Sequence, residues 1–209
     1  MSVVYTDSTK LVKYFDITRV GKSRDLETLE PVFRASVENL IGKMADKHGQ
    51  VMKPFVTYRS PMQQYVEWAS SRSPLVIFNQ AKKISDAGST SVANMMAITE
   101  IPRTSGVWKS DALPFRSLHQ YGLAVDLYHE ITPGVAVWVG KAYDNLMIEA
   151  ERLGLMSGGR FTKRDGVHVQ SSQFDPAKRN TLGGFEFSWT EIEYLIQLSA
   201  KRLADSKPV

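Results

Sequence analysis

Cysteine is absent from this chain of 209 residues. That excludes disulfide scaffolds, thiolate nucleophiles and every zinc site built on sulfur, so any metal must sit on His, Asp or Glu. No apolar run approaches the roughly 18–20 residues of a membrane span. The first twenty residues carry Asp7, Lys10 and Lys13 and lack the apolar stretch of a secretory leader. The expectation is a protein made in the cytoplasm, not inserted in a membrane, and dependent on another agent for release if it acts outside. Excess charge of one sign is also scarce. The 26 basic residues outnumber the 22 acidic ones to give only +4, short of the cationic face that nucleic-acid binding requires. Internal repeats and low-complexity runs are missing too.

What is present suffices for a core. Hydrophobic residues make up 43% of the chain and aromatic residues 10%, which excludes disorder as the main description and fits a single domain over 1–209. Phe33, Val37, Leu40, Ile41 and Met44 recur at helical spacing behind Pro31, predicting a helix over 29–47 that stops at Gly49. Residues 51–58 read as a strand broken at Pro54. Ser60-Pro61-Met62-Gln63 is a capping box that starts a helix to about residue 72, and Ser73-Pro74 starts another to about residue 87. Residues 88–116 hold no sustained period and read as a long connection, or lid, with one short strand or helical turn. The Met95-Met96 pair within it reads as core. Short strands are predicted at 123–128 and 167–170, and helices at 137–155 and 190–203. Helices mixed irregularly with short strands give an α+β class.

The chemistry concentrates in two segments. In Ser117-Leu118-His119-Gln120-Tyr121-Gly122-Leu123-Ala124-Val125-Asp126, strand alternation sends Leu123 and Val125 to the core and Asp126 to the other face, beside the small Ala124. Gly122 lets the chain turn so that His119 folds back toward Asp126. In Arg164-Asp165-Gly166-Val167-His168-Val169-Gln170, Val167 and Val169 face the core and His168 points away. His119, Asp126 and His168 then supply three ligands and leave a fourth position open, the pattern of hydrolytic zinc sites. Asp165, three residues before His168, sits where a general base belongs. His129 falls on the strand face opposite Asp126 and drops out as a ligand. His48 reads as a compensating charge at a helix C-terminus.

These segments resemble the zinc peptidoglycan peptidases, a family that contains D-alanyl-D-alanine carboxypeptidases and dipeptidases and phage L-alanyl-D-glutamate endolysins. The first matches the S-x-H-x-x-G-x-A-x-D signature and the second the D-x-x-H element. Tyr58-Arg59-Ser60-Pro61 with Gln64 and Arg72 is similar to the family's Y-R-[ST]…Q…R element. The three matches run in family order from Tyr58 to Gln170. The resemblance implies a hedgehog/DD-peptidase-like fold, in which a small antiparallel sheet carries the site and helices pack on it. It implies one zinc ion per chain on His119, Asp126 and His168, with Asp165 as catalytic base. Arg59 becomes the cation for the scissile carbonyl oxygen or a substrate carboxylate, and Ser117 a substrate-contacting serine. Gln64 and Arg72 read as scaffold.

The implied substrate is the peptidoglycan stem peptide, cleaved by a monomer with no nucleic-acid partner. An Asp base in a D-x-x-H setting favours the L-alanyl-D-glutamate endopeptidases over the carboxypeptidases. An endolysin released through a holin would reach the wall without a leader. A D-alanyl-D-alanine carboxypeptidase, or a non-hydrolytic wall-binding or virion structural relative, remains the alternative, although the intact Asp165 speaks against the latter. The span from Ser60 to Ser117 is longer than the family pattern leads one to expect. Trp108 and Tyr121 read equally as groove-lining or packing aromatics.

Overall fold

The computed structural model describes residues 17, 18, 20–98, 110–172 and 187–205. In chain order these form strand β1 (Lys22–Ser23), helix α1 (Pro31–His48), strands β2 (Val51–Val56) and β3 (Tyr58–Arg59), and helices α2 (Pro61–Ala69), α3 (Pro74–Asp86) and α4 (Thr90–Met96). Strands β4 (Ala124–Thr132) and β5 (Val135–Val137), helix α5 (Lys141–Arg152), strands β6 (Met156–Ser157) and β7 (His168–Gln170), and helix α6 (Trp189–Asp205) follow. The class is α+β, as expected. The chain divides into two compact units. The described parts of 22–58 and 121–185 build a sheet unit, and those of 1–21, 59–120 and 186–209 a helical unit.

In the sheet unit the strands run in the order β2-β4-β7-β6, with β5 also paired to β4, and every pairing is antiparallel. Helix α1 starts where Glu30 accepts a hydrogen bond from the Phe33 amide and Pro31 takes the first helical position; it ends at Gly49, whose φ of 63° is left-handed. Its buried Phe33, Val37, Leu40 and Met44 pack toward α5 and β2. Helix α5 contributes Ala142, Leu146 and Ala150. Along β4, Val125 and Leu127 are fully buried, as is Met52 of β2; each such side chain contributes roughly 1.5–3 kcal/mol of burial. One carboxylate ties the two helices. Glu149 of α5, 3% exposed, accepts from Lys47 Nζ at 2.7 Å and Arg152 Nη1 at 2.6 Å, and lies 3.2 Å from His48 Nε2. His48 does stand in the last turn of α1, but its nearest charge is this carboxylate.

The structure corrects two sequence boundaries here. The helix expected from 137 does not begin there. Val137 pairs with His129 and Ala136 with Glu130, so β4 is drawn out to Thr132 and α5 starts only after Gly140. Trp138, within the expected helix, instead sets its ring edge-on to Phe55 at 4.7 Å and tilted against Tyr128 at 5.7 Å. The break expected at Pro54 takes the form of a register shift between Pro54 and Val56. β2 therefore keeps its pairing on both sides of a residue that has no N–H to donate.

In the helical unit the Ser-Pro signals work as expected. Ser60 Oγ accepts from the Gln63 amide and Ser73 Oγ from Val76. The first of these helices ends at Ala69, not near 72, and the second at Asp86. Within 88–116, Thr90–Met96 form a seven-residue helix with Val92, Met95 and Met96 buried, the core role expected of the methionines. One amide and two hydroxyls at its start are bonded by a carboxylate of α6. Glu193 accepts from Ser91 N at 2.9 Å, Ser91 Oγ at 2.7 Å and Ser89 Oγ at 2.9 Å, a cap donated by a residue far along the chain. The stretch 99–109, which includes Trp108, lies outside the described residues.

Candidate metal centre

The site begins with register. β4 and β7 pair so that Asp126 faces His168 directly and Ala124 faces Gln170. Directly opposed residues in an antiparallel pair share a sheet face, so Asp126, His168, Ala124 and Gln170 lie on the face opposite Val125, Leu127 and Val169. That face is also covered. Asp126 and His168 are each only 9% exposed, and Ala124 is fully buried. A carboxylate in that position is costly unless paired or metal-bound. Asp126 is paired, its Oδ1 lying 3.0 Å from His168 Nδ1.

His119 arrives from the sequence side. The 3-10 turn Leu118–Tyr121 ends at Gly122, whose φ of 67° suits glycine and little else. That turn lets the chain reverse into β4. His119 is 3% exposed. Among the described residues, His119, Asp126 and His168 form a group whose candidate ligand atoms all lie within 4.8 Å of one another. Two imidazoles and one carboxylate, with no fourth His, Asp or Glu in the group among the described residues, suit a zinc ion that keeps an open position. The cluster can hold a metal ion. His129, set against Met52 and Val137 in the sheet, is not part of it.

The loop before β7 is fixed by a close approach. Asp165 N donates to Gly158 O at 3.0 Å and His168 N donates to Asp165 O at 3.3 Å. A Cβ on Gly158 would collide with the Asp165 carbonyl oxygen and stand 3.0 Å from His168 Cβ. Gly158 is where one loop presses on another. Asp165 is exposed and its charge reaches the imidazole. Burial pushes the His168 pKa down, but the hydrogen bond and charge of Asp126, the charge of Asp165 and the Gln170 contact outweigh it, and the net shift is upward. Phe161 flanks the same ring, centroid to centroid 5.3 Å.

The remaining expected site residues are placed as follows. Ser117 is half-buried just before the 3-10 turn, its amide donating to Gln120 Oε1 at 3.3 Å. Arg59 belongs to the helical unit, where its Nη1 lies 3.1 Å from Glu67 Oε2 and donates to Gln64 Oε1 at 3.0 Å. Gln64 in turn donates to Ser110 Oγ at 2.6 Å and Ala112 O at 2.7 Å, and Arg72 donates to Ser110 O at 3.2 Å. Arg59, Gln64 and Arg72 thus form one hydrogen-bonded set that pins residues 110–112, the scaffold role expected of Gln64 and Arg72. Glu67, 1% exposed, was missed in the sequence, where a lone Glu on a helix gives no signal. Tyr121 is 4% exposed, which settles it as a packing residue. Sequence reasoning also missed the half-buried aromatic group Phe55, Tyr128 and Trp138. Tyr128 follows Asp126 by two positions, so it shares that face.

Residues 110–171 match the family model described as D-alanyl-D-alanine carboxypeptidase. The matched segment is less than a third of the chain; it contains Ser117, all three metal-site residues and Asp165, and excludes Arg59. Among solved structures, the chain is similar to a mutant of the vancomycin resistance D,D-pentapeptidase VanY, from a VanB-type resistance cassette, in complex with Zn(II). The identity is 18%, the coverage 69% of this chain and 72% of that one, and the TM-score 0.40. It is also similar to the Serratia marcescens L-Ala D-Glu endopeptidase ChiX, at 19% identity, with 75% and 92% coverage and a TM-score of 0.37. No curated protein matches the chain.

Proposed function

We propose that the protein is a zinc-dependent peptidase that hydrolyses an amide bond of the peptidoglycan stem peptide, as an L-alanyl-D-glutamate endopeptidase. The observation that carries the reading is the convergence of His119, Asp126 and His168 within the segment that matches a peptidase family. In that family's pattern the same three positions are ligands.

When bound, zinc supplies Lewis acidity, lowering the pKa of water from 15.7 toward about 7 and polarising a carbonyl. The chain's own residues supply the rest. Asp165, exposed at the end of the loop that leads into His168, accepts the proton of the attacking water and delivers it to the leaving amine. Arg59, whose guanidinium is held by Glu67 and Gln64, stabilises the developing oxyanion or a free carboxylate of the substrate, and Ser117 contacts the substrate. Held on two sides, the guanidinium needs little reorganisation as charge develops. The near-complete burial of Asp126 and His168 lowers the local dielectric and strengthens the contact between them.

The Asp in D-x-x-H supports the endopeptidase branch. A D-alanyl-D-alanine carboxypeptidase is the second reading, favoured by the description of the matching family model. Digestion of intact sacculi beside free pentapeptide, with mass spectrometry of the products, separates the two. Release from sacculi of peptides with a new N-terminal D-glutamate, leaving L-alanine on the glycan side, supports the endopeptidase. Loss of a single terminal D-alanine from the pentapeptide replaces it with the carboxypeptidase, and no cleavage of either substrate overturns the peptidase reading. Among the described residues no helix is long and apolar enough to cross a membrane. Delivery to the wall after synthesis in the cytoplasm, through a holin, is part of the same proposal, as is action by a monomer.

A further inference from the structure

We infer that Gln170 is a positioning residue of the metal centre, which selects the nitrogen that His168 offers to the ion. The inference rests on the metal-site reading and adds to it a residue that is not itself a ligand.

Both ring nitrogens of His168 are engaged, in opposite directions. Nδ1 lies 3.0 Å from Asp126 Oδ1, and Nε2 lies 3.0 Å from Gln170 Oε1. An amide oxygen can only accept a hydrogen bond, so this contact requires a proton on Nε2. The Asp126 carboxylate is an acceptor too, so without an ion Nδ1 carries the proton shared with Asp126; an ion held between Asp126 and His168 would take the place of that proton, while the proton on Nε2 stays with Gln170. The nitrogen turned toward Asp126 is therefore the metal-facing one.

The orientation of the Gln170 amide is itself determined. Its Nε2 donates to Met156 Sδ at 3.3 Å, and a thioether only accepts. Turning the amide over would set its NH2 against the imidazole N–H and its oxygen against the sulfur, losing both interactions. The backbone holds Gln170 equally firmly, because it pairs with Ala124 on one side and Met156 on the other, and the residue is 4% exposed. A buried amide held in this way can fix the ring that it touches. Such partners of metal-bound histidines set tautomer and ring orientation and raise ligand basicity, and their loss costs about 10–100-fold in metal affinity.

The test compares zinc affinity in wild type, Gln170→Met and Gln170→Glu, by competition against a chromophoric chelator at neutral pH. Gln170→Met keeps the length and removes the acceptor; it should bind zinc about 10–100-fold more weakly, while Gln170→Glu, which restores an acceptor, should stay within about threefold of wild type or bind tighter. Gln170→Met within about threefold of wild type overturns the inference while leaving the metal site standing. Absence of zinc binding by wild type overturns both. A second measurement needs no variant: long-range proton–nitrogen correlation on the zinc-loaded wild type should show His168 protonated at Nε2 with a metal-shifted Nδ1. The reverse tautomer would sink the assignment.

Discussion

Asp126 and His168 are direct partners across the β4–β7 pairing, and their side chains meet at 3.0 Å on a covered face of the sheet. Sheet register, rather than a loop, thus sets the distance between two of the three metal-site residues. A one-residue slip of either strand would send its own member of the pair to the opposite face. The Val125–Val169 pair, fully buried behind them, resists that slip because it would have to give up its core position.

This predicts how the site responds to loss of one member. Asp126→Ala should abolish stoichiometric zinc and hydrolysis together, since two imidazoles alone make a weak site. Removing the charge that faces His168 also leaves a buried ring with one partner fewer. Zinc content by elemental analysis beside wall hydrolysis is the check. Retention of one zinc per chain in this variant would exclude Asp126 as a ligand. Treatment of wild type with a strong chelator should mimic the variant, and added zinc should reverse it.

Gly158 offers a test of the loop that presents Asp165. Gly158→Ala places a methyl group against the backbone carbonyl of Asp165 and near His168 Cβ, neither of which is the free end of a side chain. Overpacking of this kind costs about 1–3 kcal/mol, and the displaced loop should lower activity as well. At the neighbouring Gly159 the nearest obstacle is the flexible Met147 thioether, so Gly159→Ala should be tolerated better. Urea unfolding of the two variants, side by side, measures the difference; equal stability would mean that the close approach at Gly158 is unimportant.

Much of the site was legible in the sequence because it depends on local pattern. The alternation of Leu123, Val125 and Leu127 set the face of Asp126, and Gly122 marked the reversal that brings His119 back. The missing parts depend on contacts between distant segments. Nothing near Glu193 announces that it caps the helix at Thr90, and nothing near Glu149 announces Lys47 as its partner. Gln170 could be placed on the face of His168 by alternation, but its hydrogen bond to the ring depends on side-chain rotamers fixed by Met156. The β5 strand was missed, and the following helix begun too early at 137, because Val135–Val137 is too short to show a period of two; Pro133-Gly134 was the available turn signal.

The Glu149 cluster makes stability depend on acid. The hydrogen bond from Lys47 is the main cause that holds the Glu149 pKa at about 2, against an ordinary 4.5, with His48 and Arg152 adding to it and burial opposing it. A folded-state pKa below the unfolded value means stability that is present above about pH 4.5 and lost as pH falls toward 2. Glu149→Gln should therefore destabilise the protein at neutral pH. Its stability gap from wild type should narrow as the pH falls through that window. Urea unfolding of both proteins over a pH series measures the gap, and a gap that stays constant with pH would remove Glu149 as its source.

Asp165→Ala should separate metal binding from chemistry. The side chain is exposed, and Asp165 stands outside the candidate metal group. The loop is held by its backbone, through Gly158 O and the His168 amide, so truncation leaves both the loop and the cluster in place. The variant should keep its zinc and its thermal stability while hydrolysis falls by roughly 10²–10⁴-fold, the usual worth of a positioned general base. Asp165→Asn keeps the size and removes the proton acceptor, so it should lose as much activity. If Asp165→Asn retained activity that Asp165→Ala lost, Asp165 would be acting as a loop support. Near wild-type turnover in both variants would exclude it as the base, and loss of zinc from Asp165→Ala would assign it to the metal site instead.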